Sequence, residues 1–189
     1  MKILRGKPDP RVLAPVFAFA LAAGAAGLLL PPIDAVFGTV LAAVTLFIAA
    51  VDLDRFEIPD LGNLFLLVLG LAWTLEVSEF SMEAFAQGLL RSLVAGGVML
   101  TVHYVYRIAR GFDGLGLGDV KLAGAGAPWL WWSHLAVTLL IAVGAAIAVL
   151  VGRSVVSGQR VDAHAAVPLG AFLAPAIWIT WFAQALASP

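Results

Sequence analysis

Long apolar runs, broken at short intervals by charged turns, constrain this 189-residue chain more than any motif in it. A membrane-crossing helix needs ~20 predominantly apolar residues. Seven runs come near that length: about 12 to 30, 34 to 52, 61 to 77, 84 to 108, 118 to 132, 135 to 152 and 165 to 186. Unpaired backbone is too costly in hydrocarbon for anything but helices or closed barrels, and strands of alternating polar and apolar residues are nowhere visible. The pattern predicts an all-α, polytopic membrane bundle of about seven helices, a single domain over 1–189 whose first partner is the lipid bilayer. Composition agrees, at 62% hydrophobic and 12% charged, against roughly 45–50% and 25% for soluble domains. The first run is followed by others of its kind and reads as a span rather than a cleaved signal peptide.

The fifth run is short and rich in Gly and Ala, and it ends in Pro128-Trp129-Leu130-Trp131-Trp132, a cluster of the kind found at membrane interfaces. Counting it as a span gives a consistent orientation. With a cytoplasmic N-terminus, Lys2, Arg5, Lys7, Arg11, Arg55, Arg107, Arg110, Lys121, Arg153 and Arg160 all fall inside, where basic residues accumulate. Arg91 alone does not, and the opposite face receives Asp34, Glu76, Glu79 and Glu83. Small-residue clusters, Ala95-Gly96-Gly97 and Gly124-Ala125-Gly126-Ala127, permit close helix packing.

Several chemistries are excluded early. The chain has no cysteine, which removes disulfides, thiol catalysis and thiolate metal sites. Its three histidines, His103, His134 and His164, stand singly with no HExxH, so neither a metal nor any other cofactor is expected. There is no GxSG for a serine nucleophile, and no basic run for nucleic acid.

What remains is acid. Asp52 closes the second run, and Asp119 opens the fifth, so the two lie at one membrane depth, at the cytoplasmic boundary. Burying charge there costs several kcal/mol in rough terms unless the group is paired, hydrated or neutralised. Two carboxyls within a few ångströms cannot both ionise, and such a pair titrates as a unit. One member then takes a proton from water while the other donates to a developing oxyanion. Gly116 and Gly118, beside Asp119, let backbone approach closely and tolerate the torsions of a loop entering a helix. Plainer roles stay open: acids at span ends are commonly solvated, and Asp119 could cap its helix. Asp54, Glu57 and Asp60 compete with Asp52 as partner but lie further along the loop. Lys121 either steadies Asp119 or snorkels to the headgroups.

At these residues a family resemblance enters. Gly114-Leu115-Gly116-Leu117-Gly118-Asp119-Val120-Lys121-Leu122 resembles the GxGD motif of the type IV prepilin peptidases, bacterial intramembrane aspartic proteases, and Arg110-Gly111-Phe112-Asp113 suits the usual lead-in. Asp52 followed by Ile58-Pro59-Asp60 is similar to the family's other segment, and Val167-Pro168-Leu169-Gly170-Ala171-Phe172-Leu173-Ala174 to the entry of its last helix. The resemblance runs over about 34 to 186, all but the first span. It implies that Asp52 and Asp119 form the catalytic pair, with Gly116 and Gly118 shaping the motif. It further implies a multi-pass protein of the bacterial inner membrane, its site facing the cytoplasm, whose protein partner is a pilin-like precursor cut between leader and apolar helix. Many members also carry a domain with a cysteine tetrad and methylate the new N-terminus; this cysteine-free chain resembles the short forms that cleave only. Two rival classes stand beside this reading: a transporter or channel component using Asp52 and Asp119 as ion or proton sites, and an inert scaffold of the same fold.

Overall fold

A computed structural model describes residues 17, 21, 24, 27–111, 114–157 and 167–187. The expected first span, 12 to 30, lies largely outside these residues, as do Lys2, Arg5, Lys7, Arg11, Arg160 and the Phe112-Asp113 lead-in. Helices α1 (Pro32–Arg55), α2 (Asp60–Val77), α3 (Met82–Arg110), α4 (Leu117–Gly126), α5 (Trp132–Ser157) and α6 (Gly170–Ala187) follow one another, with a 3-10 turn, Ala127–Trp129, directly after α4. No strand occurs among the described residues. Local chemistry sets the boundaries. Pro32 opens α1, where its fixed φ suits the first turn and its missing N–H is no loss. Phe56, in left-handed conformation at φ 55°, closes it by donating its N–H to the Asp52 carbonyl. Ser81 caps α3 through the Ala84 N–H, and Gly111 at φ 77° ends it.

Each helix reverses on the last. Trp73 Nε1, late in α2, donates to Asp34 Oδ1 at the start of α1 (2.9 Å). Trp178 Nε1 in α6 donates to the Gly38 carbonyl (3.0 Å), while the start of α6 meets the end of α1, where the Ala171 N–H reaches Asp52 Oδ2 (2.8 Å). Around the outside α1 packs on α2 and α6, α2 on α3, and α5 on α6; α4 sits within, against α2, α3 and α6.

Five helices among the described residues are long and apolar enough to cross a bilayer; of the expected seven, the first lies largely outside these residues and the fifth is too short. The fifth run is the clearest departure. Helix α4 has ten residues and its 3-10 turn three, which reach only ~21 Å of a hydrocarbon core ~30 Å thick. The chain nevertheless travels from the Asp119 end to the other: the Pro128 carbonyl meets Thr74 and Arg91, and Trp132 Nε1 donates to Gln87 early in α3 (3.2 Å).

A helix stopping inside the bundle leaves carbonyls that must find donors. Three neighbours supply them. Ser92 Oγ donates to the Gly124 carbonyl (2.7 Å), Thr74 Oγ1 and Arg91 Nη2 to that of Pro128 (both 3.3 Å), and Gln184 Nε2 to that of Trp129 (3.2 Å). Gln184 Oε1 accepts in turn from the Trp131 N–H (2.8 Å). Arg91, the one basic residue off the expected face, thus serves the interior end of α4.

The tryptophans divide. Trp129, expected at an interface, is 0% exposed: it stacks on Trp73 (centroids 5.8 Å apart) and stands edge-on to Trp181 (5.9 Å), while Trp131 and Trp132 remain 47% and 44% exposed. Gly70 makes the room, since a Cβ there would lie 2.6 Å from Trp129 Nε1. The expected close packing of small residues is found where α3 crosses α4, a Cβ on Gly124 falling 3.3 Å from the Ser92 carbonyl oxygen and 3.6 Å from Gly96 Cα.

Replacing Gln184 by Leu keeps the bulk but strands the Trp131 N–H and the Trp129 carbonyl. At about 1–3 kcal/mol for each orphaned group, thermal unfolding in detergent should shift clearly downward.

Candidate active site

Asp52 belongs to the buried stripe of α1 that includes Leu41, Thr45 and Ile48, residues recurring every three or four positions. That rotation carries its carboxylate inward at the helix end, 4% exposed. Its neighbours go elsewhere: Asp54 is exposed beside Arg55 (3.7 Å), Glu57 is exposed, and Asp60 pairs with Lys121 Nζ (2.7 Å). Among the competing acids, Asp52 is the buried one. Lys121 therefore holds Asp60 rather than Asp119, in a solvent-exposed pair of the kind that contributes little stability.

Asp119 is the third residue of α4, counted from the N-cap Gly116. A carboxylate at that position can reach back to the N-cap amide, the second half of a capping box, and Asp119 does interact with the Gly116 N–H. The Gly-x-Gly-Asp spacing is thus N-cap, first, second and third helical residue. Asp119 is 9% exposed, and its Oδ1 has no hydrogen-bond partner among the described residues.

The two carboxylates meet at the start of α6. The Ala171 N–H donates to Asp52, and the Gly170 N–H interacts with both Asp52 and Asp119. The pair lies close enough to interact electrostatically and shares a cleft of about 590 Å³ with Ile58, Gly116, Gly118 and Lys121. The end of α1 brings one acid, the start of α4 the other, and the start of α6 the amides.

The glycines serve space rather than torsion. Gly116 takes φ −69° and ψ 144°, available to any residue, and Gly118 is helical. A Cβ on Gly118 would meet Ile58 Cβ at 3.2 Å, and one on Gly170 would meet Ile58 Cδ1 at 2.5 Å and Asp52 Oδ2 at 2.9 Å. Ile58 therefore packs against both glycines and locks the loop after α1 against the starts of α4 and α6. Pro59 helps by holding Ile58 out of helical conformation.

Two features were missed in the sequence, the Gly170–Ala171 amides and His103. Gly170 and Ala171 stood in a segment recognised only as a helix entry, and nothing local marks their amides as facing Asp52. The other is His103: buried on α3, its Nδ1 lies 2.6 Å from the Leu115 carbonyl oxygen, and so fixes the loop that leads into Gly116. A single histidine in an apolar run was its only signal.

A model described as the type IV leader peptidase family matches residues 39–151, which contain both aspartates. The prepilin leader peptidase/N-methyltransferase of Burkholderia pseudomallei is 35% identical over 156 residues, 82% of this chain and 48% of that protein. Proteins of the same name from Stutzerimonas stutzeri and Klebsiella pneumoniae are 29% identical over 146 residues (76% and 48%) and 32% identical over 119 (63% and 51%). The chain spans about half the length of these curated relatives. No solved structure matches it.

Substituting Gly170 by Ala forces a methyl group into Ile58 and the Asp52 carboxylate, an overpacking that should cost about 1–3 kcal/mol. Gly144→Ala on α5, where nothing among the described residues lies within 4 Å, should instead be neutral or stabilising by up to about 1 kcal/mol. Parallel thermal unfolding in detergent measures both.

Proposed function

The chain belongs to the type IV leader peptidase family, and from that premise we propose that it is an intramembrane aspartic endopeptidase that removes the leader from pilin-like precursors, with Asp52 and Asp119 as its catalytic pair. The observation that carries this reading is the convergence of those two buried carboxylates, from different helices, on one cleft. Family membership does not favour the transporter alternative. The reading extends to cleavage alone, as the resemblance to cysteine-free short forms implies.

One carboxyl of the pair holds a proton and the other is ionised, because two negative charges so close repel. The ionised member takes a proton from water, whose oxygen attacks the scissile carbonyl carbon. The protonated member gives its proton to the carbonyl oxygen, producing a neutral gem-diol. As that diol collapses, one of its hydroxyls returns a proton to the ionised member, the carbon–nitrogen bond breaks, and the departing amine takes the proton held by the other, so that the pair again holds one proton. The Gly170 and Ala171 amides hold the carboxylates still through these exchanges, so that little reorganisation accompanies the transfers. The cut segment must be extended, since a helical carbonyl is already hydrogen-bonded and shielded.

A cytoplasmic site is supported by charge. Arg55, Arg107, Arg110, Lys121 and Arg153 belong to helix ends on the carboxylate side, while Asp34, Glu76, Glu79 and Glu83 lie at the other. A precursor with a polar leader in the cytoplasm and an apolar helix in the bilayer would then present their junction at the level of the pair.

Asp52→Asn and Asp119→Asn proteins should reach the membrane at parental levels yet leave a co-expressed precursor uncut, a rate loss of roughly 10²- to 10⁴-fold or more. Gel mobility of the precursor reads the outcome. Processing by either variant near the parental rate would end the assignment.

A further inference from the structure

Among the described residues the outer ring of helices has one open seam. Within them α1 is packed against α2 and α6, α2 against α3, and α5 against α6, whereas α3 and α5 meet only marginally. Their starts are tied by the Trp132–Gln87 hydrogen bond. Further along, toward the aspartate end, they flank an apolar fissure of about 290 Å³, with Ala95 and Val98 on one wall and Ala136 and Leu139 on the other. Its floor is not lipid but the two helices that build the candidate site: Ala123 and Gly126 of α4, Leu173 and Ile177 of α6.

The helical register of that floor decides where the fissure leads. Residues three, four or seven apart share a face of an α-helix. Ala123 and Gly126 follow Asp119 by four and seven positions, and Leu173 and Ile177 follow Gly170 by three and seven. Both floor stripes therefore run out, at the same end, onto the aspartate and the amide of the site. Ala95 and Ala136 on the walls and Ala123 on the floor are small enough for another helix to approach closely, while Ile177 packs into the space beside Gly126 and joins the two floor stripes.

A larger groove, about 730 Å³, lies between α1 and α2. It leads elsewhere. Its lining on α1, Val40, Val44 and Phe47, is a different stripe from the one that ends in Asp52, and no residue of α4 or α6 contributes. The chain's own Gly27 also lies against Thr39, at that groove.

We propose that the seam between α3 and α5 is the lateral entrance for the apolar helix of the pilin-like precursor, which lies along the α4 and α6 stripes and delivers its end to Asp119 and Gly170. This rests on the peptidase reading above. It separates the two supplies the reaction needs: the substrate helix arrives from lipid through α3 and α5, while water arrives through the polar cleft beside the α1–α2 loop, where Glu57, Asp60 and Lys121 line the mouth.

The absence of cysteine makes the test direct. Single cysteines are placed at Val98→Cys and Leu139→Cys, with Phe47→Cys and Val68→Cys in the other groove as comparison, all in an Asp52→Asn background so that substrate is not consumed. The probe is a precursor that the parent protein cuts, carrying one cysteine one or two turns into its apolar helix; a short bismaleimide joins the two. The expected result is a covalent enzyme–precursor adduct from positions 98 and 139 and none from 47 or 68. Adducts from 47 or 68 alone, adducts from no position, or enzyme dimers through 98 or 139 formed without precursor would overturn the entrance and give the fissure to lipid or to a second copy. Failure of the parent to cut any precursor is a different result: it removes the peptidase reading, and this inference with it.

Discussion

A helix that stops inside a bilayer must have its last carbonyls satisfied by protein, and in this molecule that requirement fixes α4. Each unsatisfied group in hydrocarbon costs several kcal/mol by rough estimate. Ser92, Thr74, Arg91 and Gln184 meet the demand from three surrounding helices. These bonds hold the far end of a helix only ten residues long. Because so short a helix is nearly rigid, they also fix the depth of its other end, where Asp119 lies. A long spanning helix could slide or tilt against lipid; α4 is held at its far end by hydrogen bonds and along its side by the Gly96–Gly124 crossing.

The second constraint is steric. Asp52 and Asp119 come from helices that do not follow one another, and they share the amides at the start of α6. Three backbone segments can converge on one point only if side chains are absent there, so Gly116, Gly118 and Gly170 surround it. Ile58 fills what remains. A buried pair of acids would be expensive anywhere in a membrane protein. Here the amides, the capping geometry at Asp119 and a cleft open to solvent make it tolerable, and Asp119 Oδ1 finds no hydrogen-bond partner among the described residues. On the proposed reading that oxygen lies between a wet cleft on one side and an apolar fissure on the other, where a hydrolytic enzyme of the bilayer must bring water and substrate together.

Much of this was legible in the chain itself. The apolar runs gave the all-helical architecture, and the spacing around Asp52 and Asp119 singled out both acids before their contacts were known. The same reading placed Trp129 at an interface and made α4 a full span. Both departures share a cause. Hydropathy measures transfer out of water, and an indole leaving water gains much the same whether it enters lipid or a neighbouring helix. The 3-10 turn that brings Trp129 inward depends on Gly70, in another helix, having no side chain.

That distinction separates the two levels. Sequence alone marked which segments leave water for a helical bundle, because transfer free energies add locally along it. Tertiary structure decided which face of each helix meets protein and which meets lipid. It decided that Asp52 rather than Asp54, Glu57 or Asp60 turns inward, that Gly170 and Ala171 supply the amides, and that α3 and α5 part. To hydropathy, lipid and protein interior are nearly the same solvent; only the shapes and hydrogen bonds of neighbouring helices tell them apart.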